Sequence, residues 1–313
     1  MKKQQDGVVF PSVTDDFRVR RLAPRAGRLR MVLDTDAYNE IDDQFAIVHA
    51  LSSPDRLNVE AIYAAPFMND RAENPALGME RSYEEILRLL DRLGRPAEGL
   101  VHRGSTGYLP DGRTPRPSAA AEDLVRRGMA GPADEPLYVV AIGAITNVAS
   151  ALLMEPRLTE RIVVVWLGGH APWWPDTREF NLQQDIPAVR VVFDGGVPLV
   201  QLPCMGVVSH LHTSVPELEA TVAGRGAIGD YLVKIVREHH AEHFCWSKVI
   251  WDIAATAYLV NDAWVPTALV PSPIVTDQKT YSADARRPLI RQAWYVRRDE
   301  ILRDFCAKLP RPR

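Results

Sequence analysis

The residues best suited to chemistry crowd into one short stretch. Asp34, Asp36, Glu40, Asp42 and Asp43 follow the apolar run Leu29 to Leu33 directly. Carboxylates gathered in one loop repel each other, and a hard divalent cation relieves that repulsion; calcium takes about six to eight oxygen ligands and magnesium about six. A divalent metal site is the reading this implies. Some of these acids also suit the start of a helix near Asp42, where free N–H groups and the helix dipole favour negative charge. In open α/β sheets, ligands collect beyond the carboxyl ends of the strands, which is where a strand running into this cluster would place it.

Three later segments also set polar residues at element boundaries: Thr146-Asn147 after Ala141-Ile-Gly-Ala-Ile, Glu179-Phe180-Asn181, and Trp251-Asp252 before an apolar run. Each has a plain structural reading. Thr146 and Asn147 suit a helix start after a tight turn, Glu179 and Asn181 point one way from an extended segment, and Asp252 suits a helix N-terminus. His170 follows Gly168-Gly169 at a strand end and is a pocket candidate, with Trp173 and Trp174 in the loop beyond. His239 and His243 stand four residues apart in a helical stretch, a spacing that also suits zinc. No Glu follows His239, however, and no third ligand is evident.

Positioning such residues requires a layered frame, and the hydrophobic pattern supplies one. Short β-rich runs at Leu29 to Leu33, Val59 to Ala64, Leu137 to Ile142, Ile162 to Leu167 and Pro198 to Leu202 alternate with helical patterns. The helices are expected at Asp43 to Leu51, Met79 to Leu93, Thr146 to Met154, Ile186 to Asp194, Gly226 to His243 and Ile250 to Tyr258, with extended runs near Leu269 to Val275 and Gln292 to Val296. This alternation predicts an α/β fold, a mostly parallel central sheet flanked by helices. Arg103 to Pro117, rich in Gly and Pro, reads as an exposed loop that covers a site or merely connects. No linker composition divides the chain, so residues 1–28 read as an N-terminal extension and 29–313 as one domain.

Composition narrows the function. The 313 residues are 46% hydrophobic and 25% charged, which excludes global disorder and fibrous repeats. A net charge of -3 advertises no polyanion, so no nucleic-acid partner is expected. No apolar run approaches the ~18 residues of a membrane span, and the N-terminus lacks a signal-like apolar segment, so no membrane partner is expected either. Three scattered cysteines fit a reducing compartment, hence a cytoplasmic protein. The early basic residues Lys2, Lys3, Arg18, Arg20, Arg21, Arg25 and Arg28 read as a solvated or packed tail.

Taken in order, Asp34-x-Asp36 with Asp42-Asp43, the Thr146-Asn147 segment, Glu179-Phe180-Asn181 and Trp251-Asp252 resemble the inosine-uridine type nucleoside hydrolases over about Leu29 to Tyr258. The resemblance implies a nucleoside-hydrolase-like fold and calcium-dependent cleavage of the N-glycosidic bond of ribonucleosides. It assigns Ca²⁺ to Asp36, Asp43, Asp252 and the Thr146 carbonyl, with Asp36 also taking the proton from the attacking water. Asp42, Glu179 and Asn181 would anchor ribose hydroxyls, and Asn39 and His170 are further substrate-binding candidates. Homodimers or homotetramers are the implied assemblies.

Two departures stand out. Five residues, Ala37 to Ile41, separate Asp36 from the Asp pair where the family usually has three, so the ribose-side loop must be remodelled. Trp251 replaces the His that many members place before the last calcium Asp; a purine-preferring branch carries Trp there, which implies a stacking platform and a weak preference for purines. His239 or His243 would then serve as the acid for the leaving base. Two alternatives remain open: a magnesium phosphohydrolase with an aspartate nucleophile, suggested by Asp34-Thr-Asp36, and a nonenzymatic nucleoside or sugar binder on the same fold.

Overall fold

In the computed structural model, which describes residues 8–311, β-branched and aliphatic runs form the middle of the molecule. The strands, in chain order, are β1 (Leu29–Thr35), β2 (Leu57–Ala64), β3 (Val101–Arg103), β4 (Leu137–Ala141), β5 (Ile162–Leu167) and β6 (Leu199–Leu202). After them come β7 (His212–Thr213), β8 (Lys248–Val249), β9 (Thr267–Pro271), β10 (Ile274–Val275), β11 (Tyr281–Ser282) and β12 (Leu289–Ala293). Eight of these form one sheet in the order β3-β2-β1-β4-β5-β6-β12-β9. Every pairing within it is parallel except β12 with the edge strand β9. Two ribbons, β7 with β8 and β10 with β11, lie outside it.

The helices are α1 (Asp15–Leu22), α2 (Asp43–Leu51), α3 (Pro75–Arg92), α4 (Ala119–Ala130), α5 (Thr146–Met154), α6 (Phe180–Gln184), α7 (Ile186–Asp194), α8 (Val215–Thr221), α9 (Gly226–His239), α10 (Ile253–Val260) and α11 (Arg298–Lys308). They cover both faces of the sheet, so successive strand residues feed two separate apolar layers. Met31 and Leu33 pack into one, with α2 and α10, while Val32 packs into the other, with α5 and α7. The expected α/β architecture, one domain with a mostly parallel sheet, is the one observed.

The chain leaves β1 toward β2 on one side and returns to β4 on the other. The carboxyl ends of β1 and β4 therefore flank a topological switch point, the crevice where such sheets hold ligands.

Several boundaries differ from the sequence expectation, each for a tertiary reason. β1 runs two residues further because Asp34 and Thr35 pair with Tyr63 and Ala64 of β2. α10 starts at Ile253 rather than Ile250, since the Ile250 N–H donates to the Leu211 carbonyl and the Trp251 N–H to Asp42. α9 stops at His239 because His240 turns extended and stacks on Trp246, with ring centroids 5.2 Å apart. The expected extended run from Leu269 to Val275 divides between β9 and β10.

Part of the N-terminal stretch packs on the sheet. Arg18 donates to the Gly196 carbonyl at 3.0 Å, Arg21 to the Asp134 and Glu160 carbonyls at 3.1 Å each, and Leu22 is buried. Lys2 and Lys3 lie outside the described residues.

The Gly- and Pro-rich connection after β3 is a loop, as expected, and Asp185 holds it. This buried carboxylate accepts from the Leu109 N–H at 2.9 Å, the Thr146 hydroxyl at 2.7 Å and the Ala188 N–H at 3.0 Å, joining the loop, α5 and α7. Asp185→Ala leaves three buried donors without their acceptor. It should lower unfolding free energy by about 2–4 kcal/mol, read as an earlier urea midpoint.

Candidate functional site

The strand end and the turn after it bring the acids together. Asp42 and Asp43 open α2, and Asp252 precedes α10, the helix packed beside it. One carboxylate oxygen from each of Asp42, Asp43 and Asp252 lies within 4.8 Å of the others. Asp36 sits next to them, buried, with both carboxylate oxygens lacking any hydrogen-bond partner. Asp43 accepts from the Thr35 hydroxyl through Oδ1, while its Oδ2 is buried and unpartnered. Asp42 accepts the Trp251 N–H at 3.0 Å.

Burial first, and then mutual repulsion, shape the electrostatics. Burial and the charges of Asp43 and Asp42 push Asp36 well above the usual carboxylate range; burial and the charges of Asp42 and Asp43 do the same to Asp252. Asp43 rises to about 8 through burial and Asp42. Asp42 reaches only about 6, since the Lys248 ammonium opposes the effect of burial. Four buried carboxyls, with both oxygens of Asp36 and one of Asp43 unpartnered, form an all-oxygen donor set that fits a hard divalent cation such as calcium.

The backbone closes on Asp36 at Gly143, in the turn after β4. A Cβ there would lie 2.9 Å from Asp36 Cγ, so only glycine admits the carboxylate. Thr146, three residues on, is the first residue of α5. Its hydroxyl donates to Asp185 and its carbonyl is directed down the helix to Ser150, so it is not brought to the acid cluster. Asn147 instead braces the site: its amide donates to Asp34 at 2.8 Å and to the Ala64 carbonyl at 3.3 Å, and its oxygen accepts from the Ser105 N–H at 2.8 Å.

Glu179 and Asn181 lie at the other wall. Glu179 accepts the N–H groups of Gly169, Asn181 and Leu182 at 2.8–2.9 Å, capping α6. Asn181 donates to the Ile142 and Leu167 carbonyls at 3.1 Å each, joining the ends of β4 and β5. His170 is half-buried beside Trp174, and its Nδ1 accepts from the Met205 N–H. Trp173 is exposed.

The five-residue loop after Asp36 is tied down by hydrogen bonds. The Asn39 N–H donates to the Asp36 carbonyl at 2.7 Å, and its side-chain oxygen accepts from Asn69 at 2.8 Å. Arg71 donates to the Tyr38 and Glu40 carbonyls and lies over the Tyr38 ring. Glu40 pairs with the buried Lys248 at 2.5 Å. His239 borders this corner: its Nδ1 is buried without a partner, and burial and then the Lys248 charge lower its pKa. His243 lies past the end of α9, half-buried, with Nε2 at 3.0 Å from the Arg237 carbonyl. The shared helical face expected for His239 and His243 is therefore absent.

Sequence reasoning missed Lys248, Arg71 and Tyr108. Tyr108, on the Gly- and Pro-rich loop, donates to Gln184, and burial followed by the Asp36 charge raises its pKa. The loop composition was the one available signal for Tyr108. Lys248 and Arg71 join the site only through chain folding.

The match to known proteins agrees with this geometry. The family model for the inosine-uridine preferring nucleoside hydrolases matches residues 31–288, and the chain belongs to that family. The chain is 30% identical over 233 residues to the pyrimidine-specific ribonucleoside hydrolase RihA of Escherichia coli O81 (strain ED1a), covering 67% of this chain and 70% of that one. Its fold is similar to that of a plant nucleoside hydrolase, PpNRh1, at TM-score 0.71 and 20% identity, over 91% of this chain and 99% of that one. It is also similar to an inosine-guanosine nucleoside hydrolase at TM-score 0.72 and 18% identity, over 90% and 98%. Family and acid cluster together define an enzyme of the nucleoside hydrolase class. No helix among the described residues is long and apolar enough to cross a membrane.

Protons and cation compete for these carboxyls. Asp43, near 8 in the folded state against an ordinary 3.8, holds a proton that the unfolded chain has lost. Chelator-treated protein should accordingly lose stability as pH rises from about 4 toward 8. Added calcium should raise the melting temperature more at pH 8 than at pH 6, where Asp42 and Asp43 retain more protons. An equal rise at both values would contradict this assignment.

Proposed function

We propose that this chain is a calcium-dependent ribonucleoside hydrolase that releases free base and ribose, with purine nucleosides preferred. The observation carrying this reading is the set of four buried acids at the β1/β4 switch point, with both Asp36 oxygens and one Asp43 oxygen lacking a partner. Asp36, Asp43 and Asp252 would hold the cation, with Asp42 beside them and a backbone carbonyl from the turn around Gly143 in place of Thr146. Bound calcium would supply a fixed positive charge that acidifies a water and orients a diol.

The chain's own residues carry the remaining work. Asp36 takes the proton from the attacking water through a carboxylate oxygen with no competing hydrogen bond. Asp42, Asn39, Glu179, Asn181 and His170 position the sugar, while the surrounding carboxylates favour the oxocarbenium-like charge that develops as the glycosidic bond breaks. Trp251 offers an aromatic face to the base. Of the two histidines proposed as acid, His239 is favoured because its ring borders the Glu40–Lys248 corner and carries an unpartnered nitrogen. A homodimer or homotetramer in the cytoplasm is the proposed working form.

Pyrimidine nucleosides are the second reading, favoured by the specificity named for the Escherichia coli relatives. The purine reading rests on Trp251. A panel of ribonucleosides scored for liberated ribose, with and without chelator, tests both, and no turnover of any member refutes the proposed activity. Asp36→Asn should lower kcat by about 10²–10⁴. Trp251→Ala should raise KM for inosine about tenfold and change uridine less; unchanged inosine cleavage would remove the stacking role. His239→Ala should slow natural nucleosides yet spare an aryl riboside whose phenolate leaves unaided.

A further inference from the structure

A second cavity, separate from the acid cluster, lies between α8 and α11. Its volume is about 440 Å³, within the range of small-molecule sites. Phe45 of α2 and Phe305 of α11 form its floor, with ring centroids 5.3 Å apart, and Leu218 and Leu302 extend the apolar lining.

The charged part of the wall is unbalanced. It contains Arg225, Arg298 and Arg303 against Glu217 and Asp299. Arg298 takes up both acids, donating to the two oxygens of Glu217 at 2.7 and 2.5 Å and to Asp299 at 2.7 Å. Among the described residues, Arg225 and Arg303 have no carboxylate within ion-pair distance, and Arg225 has spent one nitrogen on the Cys306 carbonyl at 3.1 Å. An apolar floor beneath one surplus positive charge complements a molecule with an apolar body and a single negative head.

We propose that this cavity is a binding site for a small amphipathic monoanion, an aliphatic or aryl carboxylate. The carboxylate meets Arg225 and Arg303 while the hydrocarbon covers Phe45 and Phe305. Nothing in this assignment depends on the reaction at the acid cluster, although Phe45 stands two residues beyond Asp43 on α2.

The test is calorimetric titration of the full-length protein, with calcium present, using octanoate and 1-octanol as probes. Octanoate should bind saturably with one site per chain. The Arg225→Gln/Arg303→Gln double variant should weaken it about tenfold or more while remaining folded, its melting temperature lowered by no more than about 5 °C for the lost bond to the Cys306 carbonyl. Octanol should bind at least about tenfold more weakly than octanoate to the unaltered protein. No octanoate binding, equal binding of octanol, or binding indifferent to the double substitution overturns the proposal. So does sedimentation showing an oligomer that Arg225→Glu dissociates, because a second copy would then cover the cavity.

Discussion

Negative charge buried without enough positive charge is the constraint around which this molecule is organised. Asp36, Asp42, Asp43 and Asp252 are each almost fully removed from solvent, and Lys248 is the buried cation that offsets them. An unneutralised buried ion costs several kcal/mol, so the acids stay together only because stronger forces fix the backbone that carries them. Those forces are the parallel pairings of β1 with β2 and β4, the apolar layers on both faces of the sheet, and the packing of α2 against α10. The proposed cation would share these oxygens and relieve their mutual repulsion.

Polar braces translate that frame into geometry. Asn147 joins β1, β2 and the loop after β3; Asn181 joins β4 and β5; Asp185 joins α5, α7 and the same loop. None of these bonds has to touch a substrate to matter, since a carboxylate displaced by a fraction of an ångström changes what it can hold. The longer loop after Asp36 keeps its shape by the same means. Asn69 and Arg71 secure its backbone, and the Glu40–Lys248 pair fastens it to the segment leading into Trp251 and Asp252.

Much of this was legible in the sequence because local pattern and global fold agree. The runs at Ile162 to Leu167 and the helices at Asp43 to Leu51, Thr146 to Met154 and Ile186 to Asp194 fall where their periodicity places them. The acidic cluster was legible because its residues are adjacent in the chain. What escaped was set by distant contacts. The start of α10 is decided by Leu211 and Asp42, and the end of α9 by Trp246. Thr146 is a site residue by the family resemblance alone, whereas one helical turn directs its carbonyl away and Asp185 claims its hydroxyl. Lys248 lies 208 residues from Glu40, beyond any local signal.

A crystal structure of the protein grown with calcium would test the central claim most directly. The account predicts one ion bonded to carboxylate oxygens of Asp36, Asp43 and Asp252 at about 2.3–2.6 Å, with Gly143 against its rim. An ion bound elsewhere, or none at these carboxylates in saturating calcium, would contradict it.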